Sequence, residues 1–96
     1  MDFRVTIDRS INDIMRQIGY SPAYFQKAEE FSMVRKLVRN DYPRFHLYIK
    51  KSGDGLSFNL HLDQKKPSYK GSKGHSGEYD GDLVEGEAER IKGLLK

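Results

Sequence analysis

Two histidines and an aspartate in the middle of the chain have the side chains and the spacing of a metal site. His61 and Asp63 are two residues apart in an alternating segment. On a strand both side chains would therefore point to the same face, with about 7 Å between their backbones. His46 lies in the preceding alternating segment and offers a second imidazole. Two imidazoles and a carboxylate suit zinc or manganese and leave positions open for water and substrate. We predict that His46, His61 and Asp63 bind a divalent metal; the alternative is a polar hairpin face that binds nothing.

A segment rich in lysine, glycine and serine follows these candidate ligands, from residue 64 to residue 81. Glycine-rich basic loops can hold phosphate groups with backbone amides and point charges. Within it, His75 is a candidate general acid or base, or a fourth ligand, and Glu78 is another candidate ligand. Loops of this length are uncommon in compact domains unless they are functional or disordered. We therefore expect a flexible loop that folds over the metal site, with a mobile surface loop as the alternative.

The net charge of +3 conceals a basic middle segment. Between Arg35 and Lys73 there are ten Lys and Arg residues against three Asp and Glu, whereas from Glu78 onward six acids face three bases. Such a segment would attract phosphates. The residues expected to contact phosphate or nucleic acid are Arg44, Lys50, Lys51 and Lys66, with Tyr48 and Tyr69 stacking on bases.

The pair of motifs His61-Leu-Asp63-Gln-Lys65 and His75-Ser-Gly-Glu-Tyr79 resembles the phosphoesterase module of bacterial end-joining DNA ligases. That family has a strand reading His-x-Asp-x-Arg, a preceding metal-binding His and a later His-x-x-x-Tyr. It removes terminal 3′ phosphates and ribonucleotides with manganese. The resemblance spans about a fifth of the chain, with gaps, and Lys65 replaces the family's Arg. The family's module is a β-barrel, whereas nearly half of this chain is predicted to be helical.

By this resemblance, Lys65 would contact phosphate, and His75 and Tyr79 would engage the scissile phosphate as catalytic residues. The metal ligands it implies are His46, His61 and Asp63. The chain as a whole also resembles small bacterial proteins of unassigned function with a similar "HLDQK…PSY…HSGEY" segment, and that resemblance implies no activity.

Periodicity predicts the elements that must position these residues. "DFRVTID" alternates apolar and polar residues, as in a half-buried strand. "RSINDIMRQIGY" predicts a helix capped by Ser10 and ended by Gly19. "SPAYFQKAEEFSMVRKLVRN" predicts a longer helix with Ser21 as its cap and an apolar stripe of Phe25, Ala28, Phe31, Val34, Leu37 and Val38. "DLVEGEAERIKGLLK" predicts a last helix whose inward residues are Leu83, Val84, Ala88, Ile91, Leu94 and Leu95.

"RFHLYIKKSGDGLSFNLHLD" predicts a β-hairpin, because two alternating runs flank a Ser-Gly-Asp-Gly turn signal. To bring the apolar rows onto one face, we expect Ile49 to oppose Leu56 across a four-residue turn. The polar face would then hold His46 across from Asn59 and diagonal to His61.

Together these elements predict a single α+β domain over residues 1–96, in the order β-α-α-β-β-α, with a short antiparallel sheet packed on helices. The absence of cysteine excludes disulfides, thiolate metal sites and cysteine nucleophiles. No run of residues is apolar enough for a membrane helix, and "MDFRVTIDR" has no apolar signal region, so we expect a cytoplasmic protein.

Two classes of function compete. The first is a metal-dependent phosphoesterase or nuclease-like enzyme that acts on a phosphate ester such as a nucleic-acid end. The second is a non-catalytic nucleic-acid-binding or protein-interaction domain, with an oligomeric state that the sequence leaves open. The serine in "GHSG" has no visible orienting group for a nucleophile, and "GSKGHSG" lacks the spacing of a phosphate-binding loop.

Overall fold

The computed structural model of the protein describes residues 1–23, 29–64 and 81–96, and the backbone of 77–78. Within these residues, two helices pack on one face of an antiparallel sheet. The helices are α1 (Ile11–Ile18) and α2 (Asp82–Leu94). The strands are β1 (Asp2–Val5), β2 (Ser21–Pro22), β3 (Glu30–Lys36), β4 (Arg44–Ser52), β5 (Gly55–Asp63) and β6 (Gly77–Glu78). Neither helix has the length and apolar character that crossing a membrane would require.

The strands follow the order β1-β5-β4-β3-β2, and β6 pairs with β5 on the edge that β1 also uses. The β4–β5 hairpin therefore lies inside the sheet, with neighbours on both sides. The architecture is α+β, as predicted, but the predicted order β-α-α-β-β-α is wrong. Most of the loop predicted over 64–81 lies outside the described residues, and the part at Gly77–Glu78 is strand β6.

The longer helix predicted from Ser21 is the main error, because its second half is strand β3. Seven consecutive residues of β3 pair with β4, so tertiary pairing overrides the local helical pattern. In the strand, Met33 faces the helices and is almost fully buried. Leu37 and Val38, expected on a helical stripe, follow the strand and are exposed. Phe25 and Ala28 lie outside the described residues.

Helix α1 confirms the sequence signals at both of its ends. The Ser10 side chain accepts a hydrogen bond from the backbone N–H of Asp13 at 3.1 Å, which satisfies a donor left free at the helix start. Gly19 adopts a left-handed conformation with φ of 82° and ends the helix. Ile14 and Ile18 are fully buried, so the apolar face of α1 packs in the core.

The hairpin forms where predicted, but its register differs by two residues. Ile49 pairs with Phe58 rather than Leu56, and the turn contains two residues instead of four. Gly53 takes the first turn position with φ of 60°, a conformation that glycine adopts without strain and that two-residue hairpins favour. A shift of two keeps every side chain on its predicted face. It places His46 directly opposite His61.

Helix α2 buries four of the six residues predicted to face inward, and it also buries Glu87. Val84, Ala88, Ile91 and Leu95 are buried, whereas Leu83 and Leu94 are 58% and 38% exposed. Glu87 lies on the buried face with its side chain only 3% exposed. The Tyr20 hydroxyl donates to this carboxylate at 2.6 Å, and the Arg90 Nε donates to it at 2.8 Å.

The buried Glu87 carboxylate links three elements. Arg90 also donates to the Ile18 carbonyl at the end of α1 at 2.6 Å, and Arg35 of β3 approaches Glu87 at 3.4 Å. Burial, followed by the hydrogen bond to Glu87, raises the pKa of Tyr20 above its usual range, so the hydroxyl remains a donor. A buried carboxylate with these partners fixes how α2 sits on α1 and the sheet.

We predict that Glu87→Ala lowers the free energy of unfolding by roughly 3 kcal/mol, because the substitution leaves the buried Tyr20 hydroxyl without its acceptor and opens a cavity. Urea unfolding followed by circular dichroism measures the change. Glu89→Ala, at an exposed position of the same helix, is the matched control and should change stability by less than about 0.5 kcal/mol. Equal losses in the two variants would contradict a structural role for the Glu87 cluster.

Candidate metal centre

The face of the sheet opposite the helices carries the three predicted ligands. His46 is on β4, and His61 and Asp63 are on β5, the next strand of the sheet. Their apolar neighbours on the same strands, Leu47, Leu60 and Leu62, point to the helices and are buried. Because successive strand residues alternate between faces, burial of these leucines directs the histidines and the aspartate to the other side.

The Asp63 carboxylate lies between the two imidazoles. Its Oδ2 is 3.1 Å from Nδ1 of His46, and its Oδ1 is 2.9 Å from Nε2 of His61. The two rings are 5.0 Å apart between centroids. One potential ligand atom from each of the three residues can be chosen so that all lie within 4.8 Å of one another. The structure therefore brings together the three residues that spacing singled out.

The environment of Asp63 favours its ionised form. Burial by itself would raise the pKa of this carboxyl, whose side chain is 19% exposed. The hydrogen bonds and charges of His46 and His61 outweigh burial and hold the pKa of Asp63 well below its usual range. An ionised carboxylate only accepts hydrogen bonds. The hydrogen-bond pattern thus assigns a proton to Nδ1 of His46 and another to Nε2 of His61.

Arg44 and Tyr48 flank the cluster on the same strand face. Arg44 pairs with Asp63 across the hairpin, and its Nε is 3.6 Å from Oδ2 of the carboxylate. The Tyr48 ring stacks on the imidazoles of His46 and His61, with 4.4 Å and 5.7 Å between ring centroids, respectively. A guanidinium and an aromatic ring therefore lie beside the candidate ligands.

Ser32 is the member of this cluster that sequence reasoning missed. Its Oγ is 2.7 Å from Nε2 of His46, on the side of the ring away from Asp63. The sequence predicts a helix at this position, and a helical Ser32 would not be a neighbour of His46 in the sheet. Recognition of β3 as a strand would have revealed it, because Ser32 pairs with Tyr48 and is diagonal to His46.

Of the other predicted site residues, some lie within the described part of the chain and the rest lie outside it. Lys50 is exposed on the cluster's face, about 13 Å along β4 from His46 by strand rise. Strand alternation directs Lys51 to the opposite face, away from the cluster. The remaining predicted residues, Lys65, Lys66, Tyr69, His75 and Tyr79, lie outside the described residues. Only the backbone of Glu78 is described, and it pairs with Leu62.

The donor set can accept a divalent ion after a small contraction. Zinc with bonds of about 2.0–2.2 Å needs donor atoms about 3.4 Å apart, closer than the present maximum of 4.8 Å. A metal binds the lone pair of an imidazole nitrogen, but the nitrogens that face Asp63 now carry protons. On metal binding, each of these protons must therefore move to the other ring nitrogen or be lost. Zinc and manganese both accept this combination of nitrogen and oxygen ligands.

We predict that Asp63 stabilises the fold above about pH 4 and that this contribution disappears as pH falls, because its pKa is lower in the folded chain than in the unfolded chain. Urea unfolding of the wild type and Asp63→Asn should show a large difference in stability at pH 7 that narrows towards pH 3. Asp41→Asn, at an exposed carboxylate, is the control. A difference that stays constant from pH 7 to pH 3 would contradict the assigned role of Asp63.

Comparison of the chain with protein-family models, curated proteins and solved structures found no match. The likeness to the phosphoesterase module of end-joining ligases thus stays a prediction from short motifs.

Proposed function

We propose that the protein is a metal-dependent phosphoesterase whose divalent ion is bound by His46, His61 and Asp63. The observation that supports this proposal is the convergence of the three side chains, with potential ligand atoms within 4.8 Å of one another. Three protein ligands with further positions open to water are typical of catalytic rather than structural zinc sites. The side chains come from adjacent paired strands, which hold them more rigidly than a loop would.

The residues around the cluster supply what a phosphate ester requires. A bound ion would polarise a phosphoryl oxygen and lower the pKa of a bound water. Arg44 lies against Asp63 and offers a planar cation to the oxygens of a phosphate. Its guanidinium also lies 4.6 Å from the centre of the Tyr42 ring, which restricts its orientation.

Residues of the 64–81 segment belong to the same proposal through the sequence motifs. Lys65 follows Asp63 by two residues, and His75 precedes Gly77, the partner of Asp63 in the sheet, by two residues. Lys65 is proposed to contact phosphate, and His75 and Tyr79 to engage the scissile group. The proposed substrate is a phosphate ester such as a nucleic-acid 3′ end, and the proposed location is the cytoplasm.

We predict that the wild type binds about one equivalent of manganese or zinc and that His61→Gln binds at least about 100-fold more weakly. Glutamine keeps an N–H donor for Asp63, so the fold is expected to persist. It lacks the imidazole nitrogen that would bind the metal. Elemental analysis after metal loading measures binding, and hydrolysis of bis-p-nitrophenyl phosphate and of a 3′-phosphorylated oligonucleotide measures activity. Ser57→Ala, on the same strand face, is the matched control.

Two results would contradict the proposal. One is the absence of stoichiometric metal in the wild type after loading with manganese, zinc or iron. The other is hydrolysis that continues unchanged in the presence of a chelator.

A second candidate function is metal-independent nucleic-acid binding, favoured by the alternation of Arg44, Tyr48 and Lys50 on one face of β4. Cations at each end and an aromatic ring between them resemble the surfaces that contact phosphates and stack bases. In this reading the histidines are part of the polar surface and the cluster has no catalytic role.

Under this second reading, binding of a single-stranded oligonucleotide weakens steeply with salt and is unaffected by a chelator. Lys50→Ala should lower the slope of log affinity against log salt by about 0.7, the value for one lost phosphate contact. Lys92→Ala, on the helix layer, is the control. Fluorescence anisotropy at several salt concentrations measures the slopes, and no detectable binding at low salt would exclude this function.

A further inference from the structure

The second ring nitrogen of His46 has a partner that the proposed function does not yet use. Nε2 lies 2.7 Å from Oγ of Ser32, while Nδ1 faces Asp63 at 3.1 Å. The imidazole is therefore held from both sides, by a carboxylate on β5 and a hydroxyl on β3. Ser32 is 7% exposed, so water competes little for this hydrogen bond.

A hydroxyl is suited to this position because it can either donate or accept. Without metal, Nδ1 of a neutral His46 carries the proton and Nε2 accepts from the Ser32 hydroxyl. When Nδ1 gives its lone pair to a metal, the proton resides on Nε2, and the same hydroxyl oxygen can accept it. The Ser32 contact is thus compatible with both tautomers, and it holds the ring with Nδ1 directed towards Asp63 and His61.

We infer that Ser32 is a positioning residue that makes Nδ1 the metal-binding nitrogen of His46. This inference rests on the proposed function, because it presupposes metal at the cluster. Hydrogen bonds from the second nitrogen of a ligating histidine fix its tautomer and orientation, and their loss weakens metal binding by about 10–100-fold. His61 faces the same carboxylate through Nε2, so the two histidines would bind through different nitrogens.

Ser32→Thr and Ser32→Val form the matched pair that tests this inference. Threonine and valine have nearly the same shape and both favour strands, so any crowding by the added methyl groups is common to the two. Only threonine keeps the hydroxyl. Ser32→Ala against the wild type provides a second comparison if both larger residues disturb β3, and circular dichroism of each variant checks the fold.

The measurements are zinc affinity by competition with a chromophoric chelator and imidazole ¹⁵N spectra of the zinc-loaded protein. We expect Ser32→Thr to bind zinc close to the wild-type affinity, with His46 coordinated through Nδ1. Ser32→Val should bind about 10–100-fold more weakly. Its spectra should show His46 either released from the metal or coordinated through Nε2.

The possible failures are distinguishable. If the wild type binds no metal, the proposed function fails and the inference fails with it. If the wild type binds zinc and Ser32→Val matches Ser32→Thr in affinity and in the coordinated nitrogen, the inference alone is overturned. Hydrolysis that survives a chelator would contradict the proposed function and, with it, the inference. Loss of that hydrolysis in Ser32→Ala would then identify Ser32 as a nucleophile activated by His46 and Asp63.

Discussion

The carboxylate of Asp63 accepts hydrogen bonds from two imidazoles, and the polar face of the sheet is organised around this interaction. An ionised carboxylate that is mostly removed from water needs partners, and His46 and His61 supply them from adjacent strands. The guanidinium of Arg44 lies beside the carboxylate oxygen that His46 contacts, with Nε at 3.6 Å. Ser32 then holds His46 from its far side. In the metal-bound protein, the positive ion would take the place of the two N–H groups as the partner of the Asp63 carboxylate. The same three residues would stay together.

This interaction depends on the register of the β4–β5 hairpin. His46 contacts Asp63 because His46 pairs with His61 across the hairpin. Asp63 lies two residues after His61, on the same face of β5. A slip of one residue would turn His46 towards the helices and bring a leucine to the polar face. The leucines that pack against the helices, and the two-residue turn at Gly53, oppose such a slip. The apolar core thus fixes the position of the polar cluster, although the two lie on opposite faces of the sheet.

Much of the site could be predicted from local patterns, because strand alternation alone determines which residues share a face. His46, His61 and Asp63 were placed together on that basis, even though the predicted register was two residues off. The number of turn residues was not predictable, because the Ser-Gly-Asp-Gly sequence permits both two-residue and four-residue turns. Residues 30–36 contain apolar side chains at spacings that fit a helix or a strand, and the pairing with β4 that decides between them is a long-range contact. Ser32 was missed for that reason. The inward position of Glu87 was missed because a glutamate in a helix is expected to face solvent unless its partners are known.

A crystal structure of the zinc-soaked protein, with anomalous diffraction recorded at the zinc absorption edge, would show whether His46, His61 and Asp63 bind a metal ion. We expect one strong anomalous peak about 2.0–2.2 Å from Nδ1 of His46, Nε2 of His61 and a carboxylate oxygen of Asp63. A cluster that keeps both histidine–carboxylate hydrogen bonds in the presence of zinc, with no peak between them, would contradict it.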